Sequence, residues 1–577
     1  MTLTAADWLV LALVLVTPVA VGIAYGRRSG RSLSQFFLSG RELPWWLTGT
    51  SMVATTFAAD TPLAVTGIVA ASGIAGNWLW WNAAIGSMLT VVLFARLWRR
   101  AGILTDVEFV ELRYTGRAAS VLRAVRALYL GLPVNCLVIG WVNLALAKVL
   151  SIALGWDRLS GVLLGLAATG GYAALAGLRG VVAADLVQFS VAMAGAVALA
   201  CFALGAPGVG GLDGLLAALP DSTFRLWPAV GATGGSIADA STMLALPIVS
   251  FIAYLGIQWW ASWYPGQEPG GGGYVAQRMM SARSERDAVL ATLWFTVAHY
   301  CLRPWPWVLV ALAALVLYPD LSDREAGYVL VLRDHLPAGW RGLLVGSFFA
   351  AYMSTVSTQL NWGTSYLVND VYKRFVRPAA DEAHLVRASR AITILVMAAS
   401  GALTFALDSV RQAWEFVLES GAGVGLVLIL RWYWWRVTAI SELAALAAAA
   451  AGFLFVRFFT AVPFPDSLLY LVPWTTACWL AATLATRAEP LPHLVRFYRR
   501  TRPGGPGWRR IAEAAGEPAP AALAPELRRW AAGCAVVYLT LAAAHAALFG
   551  SAAGAVLLLV CATGLAVWLI RSLTVDT

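Results

Sequence analysis

The chain alternates long apolar stretches with short polar connections. Fifteen of these stretches are long enough for a helix to cross a bilayer, which takes about 20 apolar residues. The pattern predicts an all-α polytopic membrane protein, because a helix satisfies its own backbone hydrogen bonds within lipid. The predicted spans are 7–26, 45–72, 77–98, 122–150, 157–176, 181–205, 241–264, 286–318, 337–372, 386–408, 412–432, 439–457, 466–487, 530–549 and 551–572.

The positive charges concentrate in the connections that follow odd-numbered spans. Examples are Arg96, Arg99 and Arg100 around the end of the third span, and Lys373 after the ninth. Short loops rich in Arg and Lys stay on the cytoplasmic side of a membrane. The pattern therefore predicts an outside N-terminus and an inside C-terminus. It also makes the Arg-rich segment 488–529 a cytoplasmic loop with a short interfacial helix.

Composition supports a membrane protein and argues against two other classes. Hydrophobic residues make up 60% of the chain and charged residues 12%, which is typical of a polytopic protein. The net charge of +10 lies between apolar spans, which argues against nucleic-acid binding. The six cysteines have no close pairs, so they predict neither a disulfide framework nor a metal site. No G-x-S-x-G, H-E-x-x-H or Walker-type run occurs, which argues against an enzyme.

Two predicted spans are interrupted. Span 45–72 contains Asp60 and a proline in its middle, and span 241–264 leads into PGQEPGGGGY, which cannot form a regular helix. The two spans come first in two candidate five-helix halves, and paired interruptions of this kind mark the midplane site of transporters. We expect Gln267 and Glu268 in the second break to line that site. The alternative for the glycines is a flexible loop at the membrane surface.

Four hydroxyl groups lie close together within span 337–372. Ser354, Ser357 and Thr358 share one face of a helix, and Thr355 lies beside them. A single hydroxyl in a membrane helix often bonds back to its own backbone carbonyl, and that alternative applies to each of the four. Together, however, they offer several neutral oxygens at mid-span. Such a set suits a hard cation of low charge, such as Na⁺, with carbonyls completing its shell.

Other polar residues within the predicted spans have two interpretations each. Asp60 is costly at membrane depth unless it meets a partner, so it is a functional candidate. Asp185 is either a cation ligand or an interfacial acid near a helix end. Asn82 and Asn135 either contact a solute or form interhelical hydrogen bonds, and the hydrogen bonds are favoured. A further intramembrane polar pair, one helical turn apart, consists of His299 and Arg303.

The order and spacing of several segments resemble the sodium:solute symporter family, which includes sodium–proline, sodium–sialic acid and sodium–galactose carriers. The segments are FFLSGRELPWWLTGTSMVATTFAADTP, YAALAGLRGVVAADLVQF, VAQRMMSARSERDA, and FFAAYMSTVSTQL followed by VNDVYKRF. The resemblance implies a five-plus-five inverted-repeat fold of the leucine-transporter type. Its implied parts are a leading helix with its connection (1–44), a first repeat (45–205), an extracellular loop (206–240), a second repeat (241–436) and accessory helices (437–577).

The resemblance also implies sodium sites. One sodium ion lies between the first break and the eighth core helix. Its ligands in this chain are the carbonyls of Ala54, Phe57 and Ala351 and the hydroxyls of Ser354 and Thr355. Some members of the family hold a second sodium ion. The corresponding residues here are Asp185, Ser354, Ser357 and Thr358.

For the solute, the resemblance implies contacts from the first break, at Thr56, Asp60 and Thr61. Sodium–proline carriers have an acid at the position of Thr56, so threonine here argues against proline. Acids in both breaks are consistent with a zwitterion, a cationic group or a polyol. Asn82, Asn135, Gln267 and Glu268 complete the candidate solute-binding set.

These observations predict sodium-coupled symport of a small organic solute by alternating access. We expect the transport unit to be a monomer in the lipid bilayer of the inner cell membrane, with no nucleic-acid partner and no catalytic residue. The alternative function is a transporter-like sensor or regulatory subunit that binds solute without net flux.

Overall fold

The computed structural model describes residues 2–26, 31–231, 245–247, 251–261, 269–407, 410–460, 462 and 464–575. The first part contains α1 (Ala5–Gly26), α2 (Leu33–Leu38), α3 (Trp45–Thr55), α4 (Thr61–Ser72), α5 (Ile74–Ala101), α6 (Phe109–Arg113), α7 (Gly116–Leu154), α8 (Arg158–Leu204) and α9 (Gly211–Ala218). A short parallel pair follows, formed by β1 (Ala229–Gly231) and β2 (Ala245–Pro247).

The second part is helical. It contains α10 (Trp259–Ala261), α11 (Gly273–Ser281), α12 (Glu285–Leu317), α13 (Gly327–His335), α14 (Trp340–Val376), α15 (Glu382–Thr404), α16 (Val410–Ser420), α17 (Val424–Tyr433), α18 (Ala439–Phe459), α19 (Leu468–Ala485), α20 (Leu491–Thr501), α21 (Arg509–Ala515), α22 (Leu523–Phe549) and α23 (Ala552–Val575).

Eleven helices among the described residues are long and apolar enough to cross a membrane. The all-helical membrane prediction is thus confirmed in its main part, and the short β1–β2 pair is a departure from it. Most of the remaining predicted spans correspond to helices that the structure breaks or shortens. The total of fifteen spans and the orientation of the termini stay predictions.

The predicted spans 157–176 and 181–205 form one long helix, α8, which bends sharply. Gly177 lies at the bend with φ 58° and ψ −175°. This region of backbone space is essentially restricted to glycine, because a β-carbon would clash with the backbone. The bend therefore separates two helical segments at a position that only glycine occupies without strain.

The first predicted break is confirmed. Helix α3 ends at Thr55 and α4 begins at Thr61, with Pro62 in its first turn. Proline is favoured there because its missing N–H is not needed at a helix start. In the second break, the described glycines are buried rather than exposed, and Trp98 Nε1 donates a hydrogen bond to Gly270 O over 2.7 Å.

Helix α14 lies in the centre of the structure and is almost wholly buried. It packs along α8 and α1 and also contacts α3. Asp7 of α1 accepts hydrogen bonds from the backbone N–H groups of Gly339 (2.7 Å) and Gly342 (2.8 Å) at its start. These bonds satisfy N–H groups that have no partner within the helix. The positive end of the helix dipole also stabilises the negative charge of the carboxylate.

The Arg-rich segment 488–529 is packed against the helical body. Trp508, between α20 and α21, is fully buried, and Arg113 of α6 lies 4.9 Å from the centre of its ring. The two C-terminal helices pack on each other, and α22 is tied to α5 by the hydrogen bond from Trp530 Nε1 to Ile85 O (3.0 Å). These accessory parts therefore pack against helices of the core.

Candidate functional site

The broken end of α3 meets the hydroxyl-rich part of α14. Thr355 donates its hydroxyl hydrogen to the carbonyl oxygen of Thr55 at 2.8 Å, and the Ala351 carbonyl lies 3.2 Å from the same hydroxyl. The hydroxyls of Thr55 and Thr358 are 3.0 Å apart. All four residues are buried. The hydroxyl-rich face of α14 is therefore turned toward the break and away from lipid.

Two further groups predicted as sodium ligands meet close by. Ser354 donates its hydroxyl hydrogen to Asp185 Oδ1 (2.8 Å), and Ser51 donates to Asp185 Oδ2 (2.5 Å). Asp185 is completely buried on the second half of α8. Its alternative interpretation as an interfacial acid does not fit this position, because the carboxylate bonds α3 and α14 from the interior. It thereby connects three helices at one point.

A buried guanidinium occupies the same area. Arg278 of α11 donates to Thr358 Oγ1 (2.6 Å) and to Ser51 Oγ (3.2 Å), and its Nη2 lies 3.7 Å from Asp185 Oδ2. Gln277 holds the other terminal nitrogen at 2.8 Å. A buried acid is stable when its charge is compensated and its oxygens are bonded. In this conformation Arg278 compensates the charge of Asp185, and the hydroxyls of Ser51 and Ser354 bond its two oxygens.

The remaining predicted sodium ligands are placed as follows. The Ser357 hydroxyl donates to the carbonyl of Ser354 in its own helix (3.2 Å), which is the alternative expected of an isolated hydroxyl. The Ala54 carbonyl accepts the N–H of Phe57 (3.0 Å) where α3 ends. Phe57 itself lies within the break, with its ring against that of Trp307. Ala54 and Phe57 of the first set therefore lie at the end of α3, and Ala351 lies beside it on α14.

Thr56, the first predicted solute contact, lies in a polar cluster with α12. Its hydroxyl oxygen is 2.9 Å from His299 Nδ1 and 2.8 Å from Arg303 Nη1. The same hydroxyl donates to the carbonyl of Val53 (2.9 Å). The predicted polar pair of His299 and Arg303 is thus confirmed as a pair, and the structure places it against the break.

The other two predicted contacts in the break are adjacent to each other. Asp60 is buried, and the Thr61 hydroxyl lies 3.5 Å from its Oδ1. Asp60 immediately precedes α4, where the free N–H groups of a helix start favour a negative charge. That position places the carboxylate at the positive end of the α4 dipole.

Both asparagines bond backbone carbonyls, but only Asn135 forms the interhelical hydrogen bond that the alternative predicted. Asn82 donates to the carbonyls of Trp78 (2.8 Å) and Leu79 (2.9 Å) in its own helix. Asn135 donates across to the Gln359 carbonyl on α14 (3.1 Å). Within the described part of the chain, neither side chain bonds the cluster around Thr56. Gln267 and Glu268 lie outside the described residues.

Sequence reasoning did not include three groups that the structure brings to this site, namely Ser51, Thr55 and Arg278. Ser51 and Thr55 are separated by one helical turn on α3, so the spacing rule that selected the hydroxyls of α14 also applies to them. Arg278 lies between the predicted spans 241–264 and 286–318, so its position in the sequence gave no signal that it meets a buried acid.

The donor set fits sodium better than a transition metal. It consists of backbone carbonyls and hydroxyls with one carboxylate nearby, which are the oxygen ligands that hard cations prefer. Among the residues that the structure describes, no group of three or more His, Cys, Asp or Glu side chains could hold a metal ion. The oxygens at the contact of α3 and α14 are thus of the kind that suits a small monovalent cation.

The fold and this site define a class of membrane transporter with broken helices at its centre. The chain is similar in fold to a solved Na⁺-coupled sialic acid symporter in a substrate-bound outward-open state. The TM-score is 0.67, the identity 18%, and the match covers 84% of this chain and 99% of that one. This likeness shows the fold alone.

The model of the sodium:solute symporter family matches residues 36–452. The chain therefore belongs to the sodium:solute symporter family, and it is a multi-pass membrane transporter rather than an enzyme.

Curated relatives lie in the same family. The sodium/glucose cotransporter of Vibrio parahaemolyticus is 25% identical over 506 residues, covering 83% of this chain and 90% of the relative. Sodium/glucose cotransporter 2 of Rattus norvegicus is 26% identical over 426 residues. That match covers 68% of this chain but 62% of the rat protein, so the chain spans about three fifths of that relative's length.

Proposed function

We propose that the chain couples the movement of one small organic solute to sodium by alternating access. Family membership supports sodium as the coupling ion. The observation that carries the proposal is the hydrogen bond from Thr355 Oγ1 to Thr55 O (2.8 Å). It brings the oxygens of α14 to the place where the backbone of α3 stops being helical.

Sodium would bind between the carbonyls of Ala54, Phe57 and Ala351 and the hydroxyls of Ser354 and Thr355. The carbonyls at the end of a helix carry a partial negative charge, and a carbonyl oxygen that accepts one N–H keeps a second lone pair. A cation at the end of α3 therefore finds a favourable field without a formal negative ligand. Transporters with interrupted helices bind their coupling ions at such positions.

The second candidate sodium site differs from the first because a guanidinium already contacts its ligands. Its four predicted ligands are Asp185, Ser354, Ser357 and Thr358, and Arg278 already contacts Asp185 and Thr358. A second sodium ion there would have to displace a guanidinium or share its carboxylate. We therefore infer that one sodium ion binds in this conformation, at the first site.

The solute would bind beside the first break, where Thr56, Asp60 and Thr61 lie next to His299 and Arg303 of α12. The name of the Vibrio relative suggests a sugar, and a sugar is one candidate class for this chain. Asn82 and Asn135 bond backbone carbonyls, so we now place them in supporting positions. Gln267 and Glu268 remain predicted contacts from the second break.

Alternating access follows from what each ligand holds together. Sodium at the first site would join α3 to α14, and solute would join the break to α12. Closure would then be a rocking of one helix group against the other around the occupied site. Each ligand shifts the equilibrium only by its difference in affinity for the two states. We propose that this unit works as a monomer in the inner cell membrane.

The test is uptake by proteoliposomes that contain the purified full chain. Labelled sugars, amino acids, carboxylates and nucleosides are offered with an inward sodium gradient, and with choline replacing sodium at equal ionic strength. We expect one class to accumulate only with sodium. Uptake of that class without regard to sodium would refute the coupling. Sodium-dependent binding with no uptake would instead support the sensor alternative.

A further inference from the structure

Arg303 carries a positive charge into the first break without an acid bonded to it. Its side chain is 2% exposed. Its hydrogen-bond partners within the described residues are neutral: Thr56 Oγ1 (2.8 Å), Val53 O (3.4 Å) and His299 Nε2 (3.4 Å). Its Nε–H has no hydrogen-bond partner within the same part of the chain. The guanidinium lies 5.3 Å from the centre of the Trp307 ring, which provides a cation–π contact.

The histidine beside it supplies no negative charge. A guanidinium can only donate, so His299 Nε2 accepts from Arg303, and His299 Nδ1 then carries the hydrogen. That hydrogen is donated to the Thr56 hydroxyl, which in turn donates to the Val53 carbonyl. The tautomer follows from the bonds and makes the ring neutral. The cluster therefore contains one positive charge and neutral dipoles.

Most other buried arginines of the described chain are compensated. Their ion pairs are Arg123 with Asp370 (2.6 Å), Arg126 and Arg431 with Glu442 (2.9 and 3.4 Å), and Arg278 with Asp185 (3.7 Å). Arg113 has no acid, but it donates to three backbone carbonyls at the end of α17, where the helix dipole is negative. Arg303 also reaches a helix end, because its Nη1 lies 3.4 Å from the Val53 carbonyl in the last turn of α3, and the buried carboxylate of Asp60 acts on it electrostatically. Even so, no acid lies within 4.0 Å of it, and its Nε–H has no hydrogen-bond partner among the described residues.

A buried cation without a direct ion-pair partner costs free energy that neutral hydrogen bonds and a more distant acid only partly offset. Charged residues at membrane depth that face the interior typically mark a substrate pathway. The position of Arg303, against the break that we assign to the solute, satisfies this description. A ligand with a negative charge would therefore gain a strong, desolvated interaction there.

We propose that the transported solute carries a carboxylate and that this carboxylate binds the guanidinium of Arg303. The inference rests on the proposed function, because it assigns the charge of the solute at the same site. Arginine suits this role because its planar fork matches both oxygens of a carboxylate. The proposal departs from a neutral sugar, which the name of the Vibrio relative suggests.

Asp60 decides which kind of carboxylate compound fits. It is buried in the same break, yet no ion pair within 4.0 Å joins it to Arg303. The two opposite charges attract each other electrostatically, but neither is bonded directly to the other, so a ligand can contact both. A zwitterion would place its carboxylate at Arg303 and its ammonium group at Asp60, whereas a simple organic anion would use Arg303 alone.

The experiment uses the purified full chain in detergent and follows its thermal stability in sodium chloride and in choline chloride. The ligands are the amino acids and short mono- and dicarboxylates, each paired with its neutral amide where one exists, together with neutral hexoses. We expect sodium-dependent stabilisation by a carboxylate compound and not by its amide. In Arg303→Gln its apparent dissociation constant should rise at least about 30-fold, or about 2 kcal/mol at 1.4 kcal/mol per tenfold.

Two variants control for folding and for charge. Arg303→Lys keeps the positive charge and should retain part of the affinity that Arg303→Gln loses. Arg117→Gln removes an exposed arginine and should change nothing. Asp60→Asn distinguishes a zwitterion from a simple organic anion. It should weaken the binding of a zwitterion and leave the binding of a simple anion unchanged.

The result that overturns the inference is clear. The inference would be contradicted by a hexose or an amide that stabilises the protein as much as the carboxylate compound does. It would also be contradicted if the dissociation constant of Arg303→Gln for that compound stayed within threefold of the parent value. Sodium without any solute tests the proposed function separately. If sodium alone gives no stabilisation over choline, the sodium site itself fails, whatever the ligands do.

Discussion

The Thr355 hydroxyl is the group whose removal tests the proposed sodium site most directly. In Thr355→Ala, the bond to the Thr55 carbonyl (2.8 Å) is lost and one predicted ligand of the ion disappears. A neutral hydrogen bond contributes about 1 kcal/mol to stability, whereas a bond to a charged group contributes about 1.5–3 kcal/mol. The half-saturating sodium concentration should therefore rise about tenfold to about 100-fold.

The assay is a sodium titration of the purified protein, followed by thermal stability or by intrinsic fluorescence from its 27 tryptophans, with choline keeping ionic strength constant. Thr355→Ser keeps the hydroxyl and should retain near-parental sodium affinity. The matched control is Ser347→Ala on the same helix. That hydroxyl bonds the carbonyls of Leu343 (2.8 Å) and Val191 (3.2 Å), away from the break.

The comparison separates a structural effect from an effect on the ion. Both alanine variants should lose a similar amount of stability without sodium, because each removes a buried hydroxyl bond. Only Thr355→Ala should shift the sodium titration. If its half-saturating concentration stays within twofold of the parent, the assignment of sodium to the contact of α3 and α14 is refuted.

Three further outcomes follow from the structure. Arg278→Gln leaves Asp185 without its cation, so the stability of the variant should depend on sodium more steeply than that of the parent; equal dependence in a titration would argue against competition at that carboxylate. Gly177→Ala places a β-carbon in a backbone region that disfavours it, at a cost of about 1–3 kcal/mol, which should lower the melting temperature measurably. Burial raises the pKa of Glu111, but the hydrogen bonds from Arg374 and other groups outweigh it and hold that pKa below its usual 4.5. Glu111→Gln should therefore be less stable than the parent at neutral pH. The difference in stability should be lost as the pH falls through the lowered pKa of Glu111, because the parent carboxylate is then protonated.

The features that sequence reasoning located depend on local rules. The hydroxyl face of α14 was predictable because helical spacing alone determines which side chains share a face. The first break was predictable because Asp60 and Pro62 interrupt an apolar run over a few residues. The spacing rule was incomplete for α14, since the Ser357 hydroxyl bonds the carbonyl of Ser354 in its own helix.

The features that it missed depend on contacts between distant segments. Arg278 bonds Ser51 across 227 residues of sequence, and Arg303 bonds Thr56 across 247. No periodicity within either segment predicts such a meeting. The resemblance supplied the order of the helices, but the residues at their contacts depend on the packing of each side chain. The guanidinium beside Asp185 could be recognised only once the helices were in place.

The two candidate sites meet at neighbouring residues of one chain segment, and this offers a physical basis for coupling. The carbonyl of Thr55 contacts α14 on the side that we assign to sodium, and the hydroxyl of Thr56 contacts α12 on the side that we assign to the solute. A rotation of this last turn of α3 that separates it from one partner also moves it relative to the other. Sodium and solute should thus favour the same arrangement of the break, and the effect of each on the affinity of the other must be equal. The coupling would then need no long-range pathway, because a single turn of backbone belongs to both sites.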